Sequence, residues 1–422
     1  MYRKATLDNG LRIISHHMPG RQSLALGIWI NVGGRYEGFG NKGIAHFLEH
    51  LLFKGTKKYS CRRIKESIEG VGGSLNGFTS DELTCYMTKI PAGYLELALD
   101  ILSDMVINPA LPEDEVEKEK QVILEEIKMY KDLPQSYVHE LLDELLWPDQ
   151  PVGAPIIGTV ESVSGIGRKE LDLFRQKYYT ASNIIISAAG SLKYTQLLNA
   201  AQKRSKLLKK QEKNSFQGAL EKQDAPRLKI FHKDTEQTHM AMGFHALKRE
   251  HPLKHALGML HIILGANMSS RLFHELREKR GLAYEIGTTI KRLQDTGSFI
   301  VHAGIDNRNV EETVRLILAE LKKASLDLVT SDEFKRAREF YLGQLMLALE
   351  DTMDHMLWIG ESAASLDTAY SLQQITKEVR KVKREDIRQA ARQIFRQERL
   401  NMALIGPLKE SEQSIYNQLR IN

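Results

Sequence analysis

Two stretches of this 422-residue chain begin alike. Leu11-Arg12-Ile13-Ile14 is followed by Leu24-Ala25-Leu26-Gly27-Ile28, and Leu228-Lys229-Ile230-Phe231 by Met240-Ala241-Met242-Gly243-Phe244. The two glycines stand 16 and 15 positions after their leading leucines. Short apolar runs of this kind read as buried strands, and a pair of them recurring later in the chain means two copies of one plan. A single hydrophobic core does not serve a chain of this length. The pattern therefore predicts an α+β protein of two structurally related domains, each a mainly antiparallel sheet packed with helices. The polar, lysine-rich stretch between them, closed by Pro226, is the expected boundary. It gives a first domain over 1–205, a linker over 206–224 and a second domain over 225–422.

In the first half, the turn Asn9-Gly10 and the break Gly33-Gly34 bracket two strands. Helical periodicity follows around His46, over 60–69 (stopped by Gly70, Gly72 and Gly73) and, after a pair of strands at 75–80 and 82–90, over 93–107. Pro112 starts a further helix over 113–131, with others at 137–146 and 168–179 and a closing strand at 183–189. In the second half, a helix over 255–264 takes the place of the His46 helix, without its polar pattern.

That polar pattern is His46-Phe47-Leu48-Glu49-His50. At about 100° per residue, His46 and His50 stand about 40° apart with Glu49 about 60° to the other side, so all three project from one helix face while Phe47, Leu48, Leu51 and Leu52 take the opposite one. Two imidazoles at i and i+4 supply two of the three protein ligands of a catalytic zinc, and the carboxylate is left to act as a base. The order is H-x-x-E-H, the inverse of H-E-x-x-H. A third ligand has to come from elsewhere. On the helix over 113–131, Glu119 and Glu126 lie inside the apolar stripe of Val122, Ile123, Ile127 and Tyr130, where a carboxylate is costly unless paired or bound to a cation. Glu125 points toward solvent. The periodicity selects Glu126 or Glu119 without choosing between them.

Composition narrows the classes. With 59 basic and 54 acidic residues the net charge is only +5, too mild to imply nucleic acid. Two cysteines, Cys61 and Cys85, are too few for a disulfide framework and point to a reducing compartment. The first residues lack the apolar core of a signal peptide, and no run approaches the roughly 20 apolar residues of a membrane span, so a cytoplasmic protein is expected. Histidines outside the motif, such as His16, His17, His239 and His245, stand at no ligand spacing with a carboxylate and read as surface or core polar residues.

Taken together, His46-x-x-Glu49-His50, the run Phe53-Lys54-Gly55-Thr56 and a glutamate 76 positions after His50 resemble the pitrilysin (insulinase) family of zinc metallopeptidases, within it the bacterial and mitochondrial processing-peptidase branch, over essentially the whole chain. The resemblance implies one zinc ion per chain on His46, His50 and Glu126, with Glu49 as general base and Glu119 as a supporting carboxylate. Gly72-Gly73-Ser74-Leu75-Asn76-Gly77-Phe78-Thr79-Ser80 resembles the family's substrate-binding edge strand, which implies that Gly73, Ser74, Leu75, Asn76, Gly77 and Phe78 hold a peptide added as an extra strand. Gly77 stands where family members usually carry alanine, a departure that loosens the strand. Ser270-Arg271-Leu272-Phe273 and Leu276-Arg277-Glu278-Lys279-Arg280-Gly281-Leu282-Ala283-Tyr284 resemble the family's arginine-tyrosine segment. Arg277 and Tyr284 are thereby implied to hold the substrate backbone and stabilise the oxyanion. Outside the family, Arg277 reads as a helix-surface cation with a salt-bridge partner.

Long members of the family enclose peptides between two halves of two related domains each, and this chain has half that length. The implied function is a zinc-dependent endopeptidase that cuts peptides or unfolded, presequence-like segments in a chamber formed by a homodimer, with Arg277 and Tyr284 of one chain completing the zinc site of the other. The alternatives are the zinc-carrying subunit of a heterodimeric processing peptidase and a non-catalytic core-type structural subunit.

Overall fold

A computed structural model describes residues 2–211, 214–408 and 412–421. The chain divides into two compact units, each built on one sheet.

Unit 1 comprises Met1–Lys128, Ala154–Gln217 and Met346–Leu372. Its strands are β1 (Arg3–Thr6), β2 (Arg12–His17), β3 (Ser23–Ile30), β4 (Ser74–Thr79), β5 (Thr84–Pro91) and β6 (Ile184–Gly190), in the spatial order β1-β2-β6-β3-β5-β4. The β2–β6 pair is parallel and the rest are antiparallel. Strand β3 is buried from Leu24 to Ile30. It is apolar throughout because both of its faces are covered. On one face Ala25, Trp29 and Cys85 pack against Met356, Ile359 and Ala363 of the helix Thr352–Leu366, and the Trp29 indole N–H donates to Ser187 Oγ at 2.8 Å. On the other, Ile28, Ile184 and Ile186 meet Val106 and Ile107 at the end of the helix Leu95–Ile107.

Unit 2 comprises Met129–Gly153, Gly218–Leu345 and Gln373–Asn422. Its strands are β7 (Arg227–His232), β8 (Gln237–His245), β9 (Ala283–Arg292), β10 (Gly297–Asp306) and β11 (Leu400–Gly406), in the order β7-β11-β8-β10-β9. Chain order maps β2 through β6 onto β7 through β11, and that mapping turns β2-β6-β3-β5-β4 into the second order with the same single parallel pair. The repeat seen in the apolar runs is thus a repeat of topology. The sheet face bearing Ala241, Ile300 and Ala403 is covered by Val138, Leu141 and Leu142 of the helix Pro134–Leu146.

The units are not contiguous in sequence. The helix that covers one face of each sheet comes from the other half of the chain, Thr352–Leu366 for unit 1 and Pro134–Leu146 for unit 2. Part of the stretch read as a linker is also docked: Phe216 lies under the Arg35 guanidinium at 3.8 Å and edge-on to Tyr36 at 5.2 Å. No described helix is long and apolar enough to cross a membrane, and both cysteines are free thiols.

Candidate metal centre

The histidine helix runs Ile44–Leu52, and nine residues are too few for a helix to persist unaided. Two features hold it. Phe47, Leu48, Leu51 and Leu52 are fully buried. At its start the buried Glu37 carboxylate accepts the backbone N–H groups of Gly43 at 3.0 Å and Ala45 at 2.8 Å, a negative charge where the helix dipole favours one. Burial pushes Glu37 up to about 7, opposed by Lys42, whose ammonium lies 3.4 Å away, and by the two N–H groups.

This helix places the His46 and His50 rings 4.6 Å apart. Burial, and secondarily the neighbouring His50, drives His46 down to about 3, so its imidazole is neutral and its lone pair available at physiological pH. The helix Glu113–Asp132 brings two carboxylates to the same place. Glu126 Oε2 lies 3.7 Å from His50 Nε2, and Glu119 Oε2 lies 3.1 Å from His50 Nδ1. A carboxylate only accepts, so Nδ1–H donates to Glu119 and the Nε2 lone pair of His50 faces Glu126. Glu119 itself is buried and ion-paired to Lys54.

His46, His50 and Glu126 each present one donor atom, all within 4.8 Å of one another, the one such trio of His, Cys, Asp or Glu among the described residues. Tetrahedral zinc with bonds of about 2.0–2.2 Å sets its donors roughly 3.4 Å apart. The His50–Glu126 separation is close to that value, one imidazole is held neutral by burial and the other is oriented by a carboxylate. The donor set fits zinc.

Glu49 projects from the same helix with Oε2 accepting the Thr79 hydroxyl at 2.9 Å. Burial raises its pKa; the Thr79 hydrogen bond and His50 oppose that shift, and Glu126 adds to it. Thr79 belongs to β4, which pairs with β5 on one side and ends the sheet on the other, so its outer edge carries no strand among the described residues. All of Ser74 to Phe78 lies in β4, with Gly73 just before it. A Cβ at Gly77 would approach the Glu49 carboxylate closely, 3.2 Å from Glu49 Oε1 and 3.1 Å from Phe53 Cζ.

In unit 2, Arg277 lies in the π-helical stretch Phe273–Glu278 and Tyr284 near the start of β9. The guanidinium sits 4.9 Å from the Phe273 ring centre and 5.5 Å from that of Tyr284. Tyr284 is 74% exposed. The carboxylate partner that a surface arginine would take is not found for Arg277 among the described residues. Sequence reasoning assigned no site role to Glu37, Lys54 or Thr79. Lys54 and Thr79 sat inside quoted motifs, but their contacts depend on the approach of the Glu113–Asp132 helix and on strand register.

Residues 12–160 match the insulinase family (peptidase family M16), and residues 165–341 match the peptidase M16 inactive domain. The chain belongs to peptidase family M16. Its relatives include the uncharacterized zinc protease YmxG of Bacillus subtilis, 36% identical over 96% of this chain and 98% of that one. Another is the uncharacterized zinc protease SCO5738 of Streptomyces coelicolor, 35% identical over 98% and 91%. The crystal structure of a protease from Helicobacter pylori superposes with a TM-score of 0.89 at 25% identity, covering 96% of this chain and 99% of that one. M16 relatives bearing the name zinc protease, together with the His46–His50–Glu126 trio, identify zinc as the metal to consider. The inactive-domain match runs from the end of unit 1 into unit 2, where the helix Lys254–Leu264 stands in the place of the histidine helix and carries no H-x-x-E-H.

Proposed function

We propose that this M16 protein is a zinc-dependent endopeptidase in which His46, His50 and Glu126 hold one zinc ion and Glu49 is the general base. The observation that carries the reading is the convergence of a three-donor cluster, a buried carboxylate and an open sheet edge, joined by the Thr79–Glu49 hydrogen bond. Zinc, when bound, supplies Lewis-acid polarisation of the scissile carbonyl and activation of water. The chain's own groups do the rest. A peptide adds to β4 through main-chain hydrogen bonds over Gly73, Ser74, Leu75, Asn76, Gly77 and Phe78. Glu49, held through Oε2 by Thr79, takes the proton of the attacking water and delivers it to the leaving amine. Burial raises its proton affinity, which suits a group that carries the proton between the two steps. Glu119 fixes the His50 tautomer, and Lys54 is ion-paired to Glu119. Loaded with zinc, the protein is expected to cleave members of a mixed peptide library; equal cleavage after chelation would overturn the assignment.

Glu119 and Lys54 act through His50, so their loss is expected to weaken metal binding rather than abolish it. Glu119→Gln should lower zinc affinity about 10–100-fold, the range for partners of metal-bound histidines, and Lys54→Met less, up to about tenfold. Chelator competition reads both, and unchanged affinity in Glu119→Gln would contradict the tautomer-setting role.

The exposed pair Arg277 and Tyr284 supplies donors for a substrate oxyanion. In our reading they act in a two-fold homodimer that encloses peptides or unfolded segments, each chain completing the zinc site of its partner. Neither Glu49→Gln nor Arg277→Ala homodimers should turn over, whereas verified mixed dimers should regain about half of the wild-type activity per dimer. Mixed dimers without activity would rule out completion in trans.

A further inference from the structure

A second group of histidine and carboxylate side chains lies in unit 2, on the sheet face under the helix Pro134–Leu146. In the antiparallel ladder, His239 of β8 and Glu285 of β9 both stand opposite Gly304 of β10. His302, two residues earlier on β10, stands opposite Ala241 and Gly287. Opposed residues share a face and alternate residues return to it, so the three side chains stand together over glycine and alanine. His139 reaches them from the covering helix, and a cavity of about 250 Å³ opens between them.

Three properties set this group apart from an ordinary polar pocket. The imidazoles of His139, His239 and His302 make no hydrogen bond to any described residue, and His302 Nδ1 is buried. Buried imidazole nitrogens are nearly always hydrogen-bonded, and exceptions point to a water or an ion. Burial lowers all three, His139 to about 4, so they are neutral donors near pH 7. Glu285, with no hydrogen bond or ion pair to a described residue, is the carboxylate whose field reaches each of them. The His139 and His302 ring centres lie 5.8 Å apart.

We infer that unit 2 carries a second site for a borderline divalent transition-metal ion, bound by His139, His302 and Glu285 with His239 as the adjoining donor. Imidazole-rich sets with one carboxylate favour zinc-like ions over calcium or magnesium. Unlike the His46 trio, these donors surround open space, and side-chain rotation into the cavity closes them on the ion. Gly287 leaves that space free, since a Cβ there would stand 2.8 Å from His302 Nε2.

The test is a cobalt(II) titration of the untagged full chain carrying His46→Ala and His50→Ala, which removes the first site. One equivalent of cobalt is expected to bind and to give the visible absorption of a four-coordinate ion. Adding His302→Ala or Glu285→Gln should weaken that binding at least about tenfold. Glu285 is exposed, so Glu285→Gln keeps the test valid if His302→Ala does not fold, as checked by circular dichroism. No stoichiometric cobalt in the double variant, or affinity unchanged by Glu285→Gln in a folded protein, would overturn the site.

Discussion

Glu49→Gln is expected to bind zinc as the wild type does and to lose peptide turnover by about 10²–10⁴-fold, the range for removal of a positioned general base. The substitution nearly conserves shape. The Thr79 hydroxyl can donate to the amide oxygen as it now donates to Oε2, and burial that raises the Glu49 pKa disfavours a charge which glutamine does not carry. Fold and metal site should therefore survive while the proton acceptor is lost. Turnover and zinc content measured on the same preparation separate the two effects. Near-native turnover would remove Glu49 from the mechanism.

His50→Ala has the other large effect, and it falls on the metal. His50 alone touches both carboxylates, with Nε2 facing Glu126 and Nδ1 bonded to Glu119. Its removal leaves two protein donors and breaks the link by which Lys54 and Glu119 orient the site. Zinc should fall from one equivalent to a small fraction by elemental analysis, and activity with it. Ligand at about a thousand times its Kd stabilises a folded protein by about 4 kcal/mol. The zinc-dependent rise in thermal midpoint, roughly 10 °C for a unit of this size, should also disappear. A variant that keeps one tightly held zinc would show that the ion sits elsewhere.

These two residues were legible because a metal site violates local rules. Two histidines and a glutamate on the polar face of a short apolar helix stand out at helical spacing, and so do Glu119 and Glu126 within an apolar stripe. Periodicity could not say which glutamate meets the histidines. The structure sets Glu126 with both imidazoles and Glu119 against the far nitrogen of one. The repeat was legible for a similar reason, since a strand buried on both faces is apolar throughout, and β3 and β8 are such strands.

Other features depend on contacts between elements remote in sequence. An amphipathic stripe shows that the helices Pro134–Leu146 and Thr352–Leu366 are covered but not which sheet covers them, so a division near the lysine-rich stretch missed their exchange. The Glu37 cap joins a loop to a helix start six residues on. His239 shows no ligand spacing along the chain, because its neighbours Glu285 and His302 are set by the β8–β10–β9 register. Gly77 reads in sequence as a weakened strand; in the fold it lies beside Glu49 Oε1.

The most direct test of the metal assignment is anomalous diffraction at the zinc edge from crystals grown with zinc. A peak is expected about 2.0–2.2 Å from one nitrogen each of His46 and His50 and from a Glu126 oxygen. Zinc-supplemented crystals with no peak among those three residues would contradict the assignment.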